Sequence, residues 1–450
     1  MFQCDPDAVV QLAAVAHARA SHYHYDVSRD AAYDFSRCRV RIVQAALQHG
    51  ALMVPARADA TDTVLLAVRL KSTWLGRWFE PQVDVEASRQ YLRQAFALGA
   101  SGLRYINLSP LALERATPMR LSGTHLDLHD QTVQLYYLHI FVDPAHQRIL
   151  VLSPHPDDAE IAAFGLYSGK DAYVVTVTAG EAGSAGAFGQ FGKGDAFLLK
   201  GRTRVWNSLV VPMLGGLSPE RTANLGYFDS TLRAMQARPD DAVRSITTGA
   251  DSLDVFRRTY AADLVLAQPG RRATLSNLVE DLKYVLQRVR PDIVVAPYPR
   301  LDVHPDHKAT TVALIDALKA LDWHSGTLLL YTNHLPASGM YPYGPSGAVV
   351  SLPPGMPRIV FDGIVSESLS TGEQARKRIA LDEMNDLRRD IGLPSLPGAG
   401  RAFLGLLRAA VENHQIDYYR RAVRANELFF EVRVASLYEP GIVDSIEGVR

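Results

Sequence analysis

Two short stretches of this chain carry the residue types that bind metal ions and move protons: His155-Pro156-Asp157-Asp158-Ala159-Glu160 and Asp302-Val303-His304-Pro305-Asp306-His307. Neutral imidazole nitrogens and carboxylate oxygens are natural ligands for a borderline cation such as zinc. His155 and Asp158 are three residues apart, so at a helix start they face one point. His307 offers a third ligand from a neighbouring strand end. Three protein ligands leave one position for water, which is the layout of a hydrolytic site rather than a structural one. Asp157, a second carboxylate beside the first, is placed to take a proton from that water. His304 is left to act as an imidazolium toward the developing oxyanion or the leaving nitrogen. Asp306 or Asp302 would orient one of the histidines through its second ring nitrogen.

A single His-Pro-Asp has an ordinary explanation, since Asp caps helices and Pro suits the first helical position. Two copies, each extended by further ligand-type residues, are much harder to explain that way. Their surroundings place them. Arg148 to Ser153 is a continuous apolar run, as expected of a strand buried on both faces of a parallel sheet. Ala172–Val177, Asp263–Ala267, Asp292–Ala296 and Thr327–Tyr331 repeat that pattern. Helical patterns lie between or after them at Ser276–Arg288, Lys308–Leu321 and Gly372–Arg389. Strands alternating with helices predict an α/β fold with a doubly wound, mostly parallel sheet. Both motifs then sit at carboxyl ends of strands, where such sheets bind ligands. The glycine- or proline-rich segments Gly189–Gly201 and Ser338–Pro357 read as loops.

Residues before about 146 have another character. An alanine-rich stretch, Asp7 to Ala20, reads as a helix. Alternating runs at Thr63–Leu70, Leu103–Leu108 and Val133–Val142 read as strands with one face in water, and Ala87 to Phe96 as a helix between them. The expected organisation is a β-rich accessory domain over 1–145 and a catalytic domain over 146–450.

Bulk properties narrow the class. With 47 basic and 48 acidic residues the net charge is -1, and no basic patch points to nucleic acid. Two cysteines in 450 residues are no disulfide framework. The acidic start lacks the basic region of a signal peptide, and no apolar run approaches the roughly 20 residues of a membrane span. The expectation is a cytoplasmic protein, with peripheral membrane contact left open.

With HPDDAE after one strand and DxHPDH after a later one, the chain resembles the PIG-L/LmbE-like family of N-acetylglucosaminyl de-N-acetylases. The likeness covers roughly Arg148 to Tyr331, and residues before 146 lie outside it. It implies a Rossmann-like, zinc-dependent hydrolase acting on amino-sugar conjugates. By that resemblance His155, Asp158 and His307 bind one Zn2+ per chain, although a His-Asp-His set also accepts iron(II), cobalt or manganese; Asp157 is the general base, and His304 is the acid or oxyanion partner. Thr178–Gly183 resembles the family's glycine-rich substrate turn, which brings in Glu181, and Leu225–Ser230 resembles the segment whose aspartate, here Asp229, meets sugar hydroxyls. The family's Arg-x-x-Glu helix finds only Arg202 or Arg204 in GRTRVWNS, with no glutamate, and Arg204 is the candidate. Where the family commonly has small residues after the first motif, this chain has Phe164.

The function expected is removal of the acetyl group from an N-acetylated amino sugar, within a cell-envelope glycan or glycolipid such as lipopolysaccharide. The alternatives are a glycan-binding protein with a silent hydrolase domain and an amidase acting on a non-sugar or thiol conjugate. The intact ligand set argues against silence.

Overall fold

The computed structural model describes residues 26–260, 264, 271–335, 341–354, 359–384 and 422–448. The expected helix at 7–20, most of the expected strand at 263–267, and Cys4 lie outside them.

Strands β1 (Val40–Leu47), β2 (Ala51–Val54), β3 (Thr63–Ser72), β4 (Gln82–Ala87), β5 (Gln90–Ala95), β6 (Ser101–Asn107), β7 (Thr117–Thr124), β8 (Leu126–Asp127) and β9 (Gln131–Leu138) make the N-terminal region β-rich. They form two antiparallel sheets, one ordered β1-β9-β3-β6 with β8 beside β3, the other β2-β7-β4-β5. Alternate side chains supply the shared core: Val64, Leu66 and Val68 from the first sheet meet Val83, Val85 and Leu121 from the second.

Two expectations for this region fail. Ala87 to Phe96 is not a helix; β4 and β5 form a hairpin turning near Ser88, whose φ is 56°. The residues of 87–96 tolerate a helix, but Val83, Val85 and Leu92 need the sandwich core. Cross-strand pairing of Arg93 with Asp84, 2.7 Å apart, secures the register. Nor does β3 keep one face in water. Thr63 to Val68 are all buried, because Leu65 and Ala67 pack into the core of the following region. Polar contacts cross the same boundary: Asn107 donates to Val350 and to Ser366, each at 2.9 Å.

The second region continues with β10 (Ile149–Ser153), α1 (Asp158–Tyr167), β11 (Ala172–Thr178), α2 (Lys193–Val210), β12 (Thr222–Tyr227), α3 (Leu232–Ala237), β13 (Arg258–Thr259), α4 (Leu275–Val289), β14 (Ile293–Pro297), α5 (Pro305–Ala320), β15 (Thr327–Tyr331), β16 (Gly363–Ser368), α6 (Thr371–Glu383), β17 (Asn426–Arg433) and α7 (Ile442–Glu447). Its eight-stranded sheet is ordered β13-β12-β11-β10-β14-β15-β17-β16. The run from β12 to β15 is parallel, while β13, β17 and β16 add antiparallel pairings at the margins. β10, β14 and β15 are buried at every position, as their unbroken apolar runs require. Strand order reverses between β10 and β14, so the loops leaving their carboxyl ends diverge and open a crevice.

The expected loop at 189–201 is replaced in its second half by α2, whose first turn carries Asp195. Gly201 is tolerated inside it because a Cβ there would lie 2.5 Å from the ring of Phe256. The expected helix from Gly372 is observed as Thr371–Glu383, opened by a capping box of Ser370 and Glu373; residues 385–389 lie outside the described set. β12, β16 and β17 had not been expected as strands.

Helix α1 is broken at Ala163 (φ -137°, ψ 16°). The amides of Gly165 and Leu166 donate instead to the Glu427 carboxylate, both at 2.9 Å. Lys377 fills the other side of the break, with Nζ 2.8 Å from the Ile161 carbonyl and 2.7 Å from Glu427 Oε1. Phe164 is fully buried in the helix–sheet core with its ring edge-on to Tyr167. It fills that packing and does not line the crevice described below.

Candidate active site

Each motif follows a buried strand and opens a helix, but the two helix starts differ. After β10, the Ser153 hydroxyl bonds the His155 carbonyl and accepts the Ala159 amide at 3.1 Å, closing a tight turn. Asp157 occupies the N-cap of α1, yet its side chain makes no capping bond; Oδ1 lies 3.0 Å from Nη2 of Arg204. After β14, the N-cap is His304 itself, whose Nδ1 accepts the Asp306 amide at 3.3 Å, with Pro305 in the first turn.

These turns bring three donor atoms together. His155 Nδ1 is 3.2 Å from Asp158 Oδ2 and 3.2 Å from His307 Nε2, and Asp158 Oδ2 is 3.0 Å from His307 Nε2. A tetrahedral zinc with bonds of about 2.0–2.1 Å requires ligand atoms roughly 3.3 Å apart, so the triangle fits such an ion with small adjustment. The electrostatics agree. Burial disfavours a charged His307, but Asp158 and Asp302 outweigh it and raise the imidazole to about 10. His155 is raised well above its ordinary value in the same way, with Asp229 the largest favourable influence against burial. Asp158 is held well below the usual carboxylate range, because His307 and His155 overcome its burial. These buried nitrogen and oxygen atoms could equally hold a divalent cation.

The orienting carboxylates divide the work. Asp302 Oδ2 is 3.0 Å from His307 Nδ1 and also accepts the amides of Asn333 and His334 at 3.0 and 3.2 Å. Asp306 faces His155 Nε2 at 3.5 Å and anchors the loop after β12 by accepting the amides of Ser230 and Leu232. Ser230 is held at φ 64°, a left-handed conformation uncommon for serine, at the cleft wall.

The expected substrate residues fare differently. Asp229 lines the cleft, but Oδ1 stands 3.3 Å from His155 Nε2 and Oδ2 accepts the Ala182 amide, so its carboxylate is largely committed to the protein. Arg204 also lines the cleft, committed to Asp157 and to the Gly180 carbonyl at 3.1 Å. Gly180 (φ 65°) is required there, because a Cβ would lie 2.8 Å from the guanidinium carbon. Arg202 is exposed in a separate groove beside Trp206. Glu181 does not reach the cleft. It is fully buried, accepts the Asp229 amide and the Ser245 hydroxyl, and burial beside Asp229 pushes it up to about 7.

His304 needs a further correction. Burial, followed by the neighbouring His155, His307 and His334, pushes it down to about 3, so it is no ready-made imidazolium. Because Nδ1 accepts a backbone N–H, the neutral ring carries its proton on Nε2. Two residues join the site from the end of β15. Asn333 Nδ2 donates to Asp158 Oδ1 at 2.7 Å, and His334 lines the cleft. Asn333 had not been expected, although it follows a buried strand just as His155 does. The cleft bounded by His155, Asp157, Asp158, Arg204, Asp229 and His304 holds about 310 Å³, enough for one sugar ring and its substituent.

Below the cleft, Glu160 is buried and accepts the Tyr167 hydroxyl at 3.0 Å. Burial pushes it up to about 8. The folded chain thus keeps a proton that the unfolded chain loses near 4.5, so the stability from this group is complete below that value and falls as pH rises toward 8. Glu160→Gln should flatten the fall. Urea midpoints of both proteins at about pH 5 and pH 8 test this, and equal pH dependence would rule Glu160 out as its source.

No curated protein matches the chain. Among solved structures it is similar to the 4-carboxy-2-hydroxymuconate hydratase GalB of Pseudomonas putida, at 17% identity over 64% of this chain and 96% of that one, with a TM-score of 0.33. It is also similar to a family two carbohydrate esterase of Cellvibrio japonicus, at 12% identity over 66% and 90%, with a TM-score of 0.18. At these TM-scores neither likeness bears on fold or chemistry. Residues 150–318, which span both motifs, match the PIG-L family, described as GlcNAc-PI de-N-acetylase. The similarity to the PIG-L family is thus carried by the segment that holds both motifs.

Proposed function

We propose that residues 146–450 form a zinc-dependent de-N-acetylase domain with a Rossmann-like parallel core, and that residues 1–145 form its accessory domain. The substrate is an N-acetylated amino sugar within a larger cytoplasmic precursor of a cell-envelope glycan or glycolipid. The observation that carries this reading is the convergence of His155 Nδ1, Asp158 Oδ2 and His307 Nε2 in one cleft with Asp157 and His304.

A divalent cation held by those three atoms would supply Lewis acidity, polarising the acetamide carbonyl and acidifying water. The rest falls to this chain's side chains. Asp157, aimed by Arg204, takes a proton from the attacking water and returns it to the nitrogen as the C–N bond breaks. His304 donates from Nε2 to the carbonyl oxygen as charge develops there, a role that a neutral ring fills. Asp229 and Asp306 hold His155, while Asp302 holds His307. Water and amide thus become acetate and free amine. Binding energy from the non-reacting part of a large glycan would be collected by the accessory region.

The test is acetate release from a panel of N-acetylated amino-sugar glycans by zinc-loaded wild type and Asp157→Asn. The variant is expected to bind metal normally and to lose about 10²–10⁴ in kcat. Full activity in the variant, or no acetate from any acetamido sugar, would sink the proposal.

A further inference from the structure

The loop between β3 and β4 presents four large apolar side chains to solvent. Trp74 is 71% exposed, Trp78 70%, Phe79 49% and Leu75 40%. They sit on and beside one 3-10 turn, Leu75–Arg77. The loop is tightly tied down. The Thr73 amide bonds the His125 carbonyl at 3.0 Å, the Gly99 amide bonds the Gly76 carbonyl at 2.7 Å, and the Phe79 amide bonds the Leu75 carbonyl at 2.9 Å. Gly76 is buried beneath the turn, where a Cβ would lie 2.3 Å from the His125 carbonyl oxygen. The backbone thus holds the apolar groups outward instead of letting them fold in.

Taking about 150–250 Å² for each aromatic side chain, these residues offer roughly 500 Å². That is at the upper end for the largest apolar patch on a monomer, and patches of this size mark interaction sites. It is well short of the roughly 800 Å² per partner that a stable protein interface buries. Glu80, the nearest acid in the chain, is buried and accepts the Gly344 amide at 3.1 Å. The exposed cations beside the patch are Arg77 on the turn and Lys71 near the end of β3, the latter opposite the exposed Asp127 of β8. Indole rings at a water–hydrocarbon boundary, flanked by cations facing anionic headgroups, are the chemistry of a bilayer interface.

We propose that the accessory region docks reversibly on an anionic lipid surface through Trp74, Leu75, Trp78 and Phe79, with Arg77 and Lys71 against the headgroups. No described helix is long and apolar enough to cross a membrane, so the contact is interfacial.

The experiment is co-sedimentation of the full chain with vesicles of about 3:1 phosphatidylcholine and phosphatidylglycerol, with pure phosphatidylcholine alongside. No activity is read, so the result stands apart from the deacetylase proposal. Wild type should partition onto the anionic vesicles with a blue-shifted tryptophan emission. Trp74→Ala/Trp78→Ala should lower partition at least about tenfold, and Arg77→Glu should weaken it most at low salt. Trp206→Ala, on a different face, should bind as wild type does. All these positions are exposed, so unchanged thermal unfolding will show that the variants fold. Equal sedimentation of wild type and the double variant, or none by wild type, overturns the proposal. So does wild-type self-association that the double variant loses, which would assign the patch to a second copy of the chain.

Discussion

His307→Ala is expected to reduce bound zinc from one per chain to nearly none and to lower acetate release at least about a thousandfold. His307 is the proposed ligand that links the two motifs: Nε2 faces Asp158 and His155, while Nδ1 is held by Asp302. Asp302→Asn should be milder, at about 10–100-fold in metal affinity or activity, because it removes the orienting carboxylate and leaves the ligand. The ranking distinguishes a ligand from its support. Metal content by mass spectrometry and acetate release are read on the same preparations. A His307→Ala protein that keeps its zinc would overturn the ligand assignment whatever its activity. Alanine here also leaves Asp158 and Asp302 buried without their cationic partner, so unfolding must be measured beside activity to separate lost chemistry from lost fold.

Lys377→Met is expected to destabilise the protein by about 3–5 kcal/mol, the cost of leaving one member of a buried ion pair unpaired. Lys377 and Glu427 are almost fully buried and 2.7 Å apart. Together they replace the backbone bond that α1 loses at Ala163, with the lysine on the Ile161 carbonyl and the glutamate on the Gly165 and Leu166 amides. Methionine roughly conserves the volume and removes the charge together with the donor to the Ile161 carbonyl. Lys377→Met/Glu427→Gln should recover part of the loss, since no net charge is then buried. Denaturant unfolding of the three proteins decides it, and a loss below about 1 kcal/mol in Lys377→Met would show that the pair contributes little. Because α1 begins at Asp158, a shift in its path would also reach the proposed metal ligands.

Much of the site was legible because its chemistry is local. His155, Asp157 and Asp158 share one strand-to-helix turn, and His304, Asp306 and His307 share another, so residue type and spacing already restrict where each side chain can point. The strands beneath them were legible for a related reason: burial on both faces leaves an unbroken apolar run, as in β10, β14 and β15. Local pattern failed where a partner distant in sequence decides. Residues 87–96 form a strand because a sandwich core and Asp84 lie beside them, and β3 loses its water-facing side because another core covers it.

The same divide runs through the catalytic groups. Sequence alone determined the candidate donor residues, the two-motif plan and the position of both motifs at carboxyl ends of strands, because these follow from neighbours within six residues. Tertiary structure alone decided what each polar group is committed to. Asp229, expected to meet substrate, is turned toward His155; Arg204 is spent on Asp157; Glu181 is buried beneath the cleft; and His304 is held neutral. Asn333 reaches Asp158 across 175 residues of chain. Protonation, tautomer and availability to a ligand are set by what surrounds a side chain within a few ångströms, and in a folded chain those surroundings come from everywhere in the sequence.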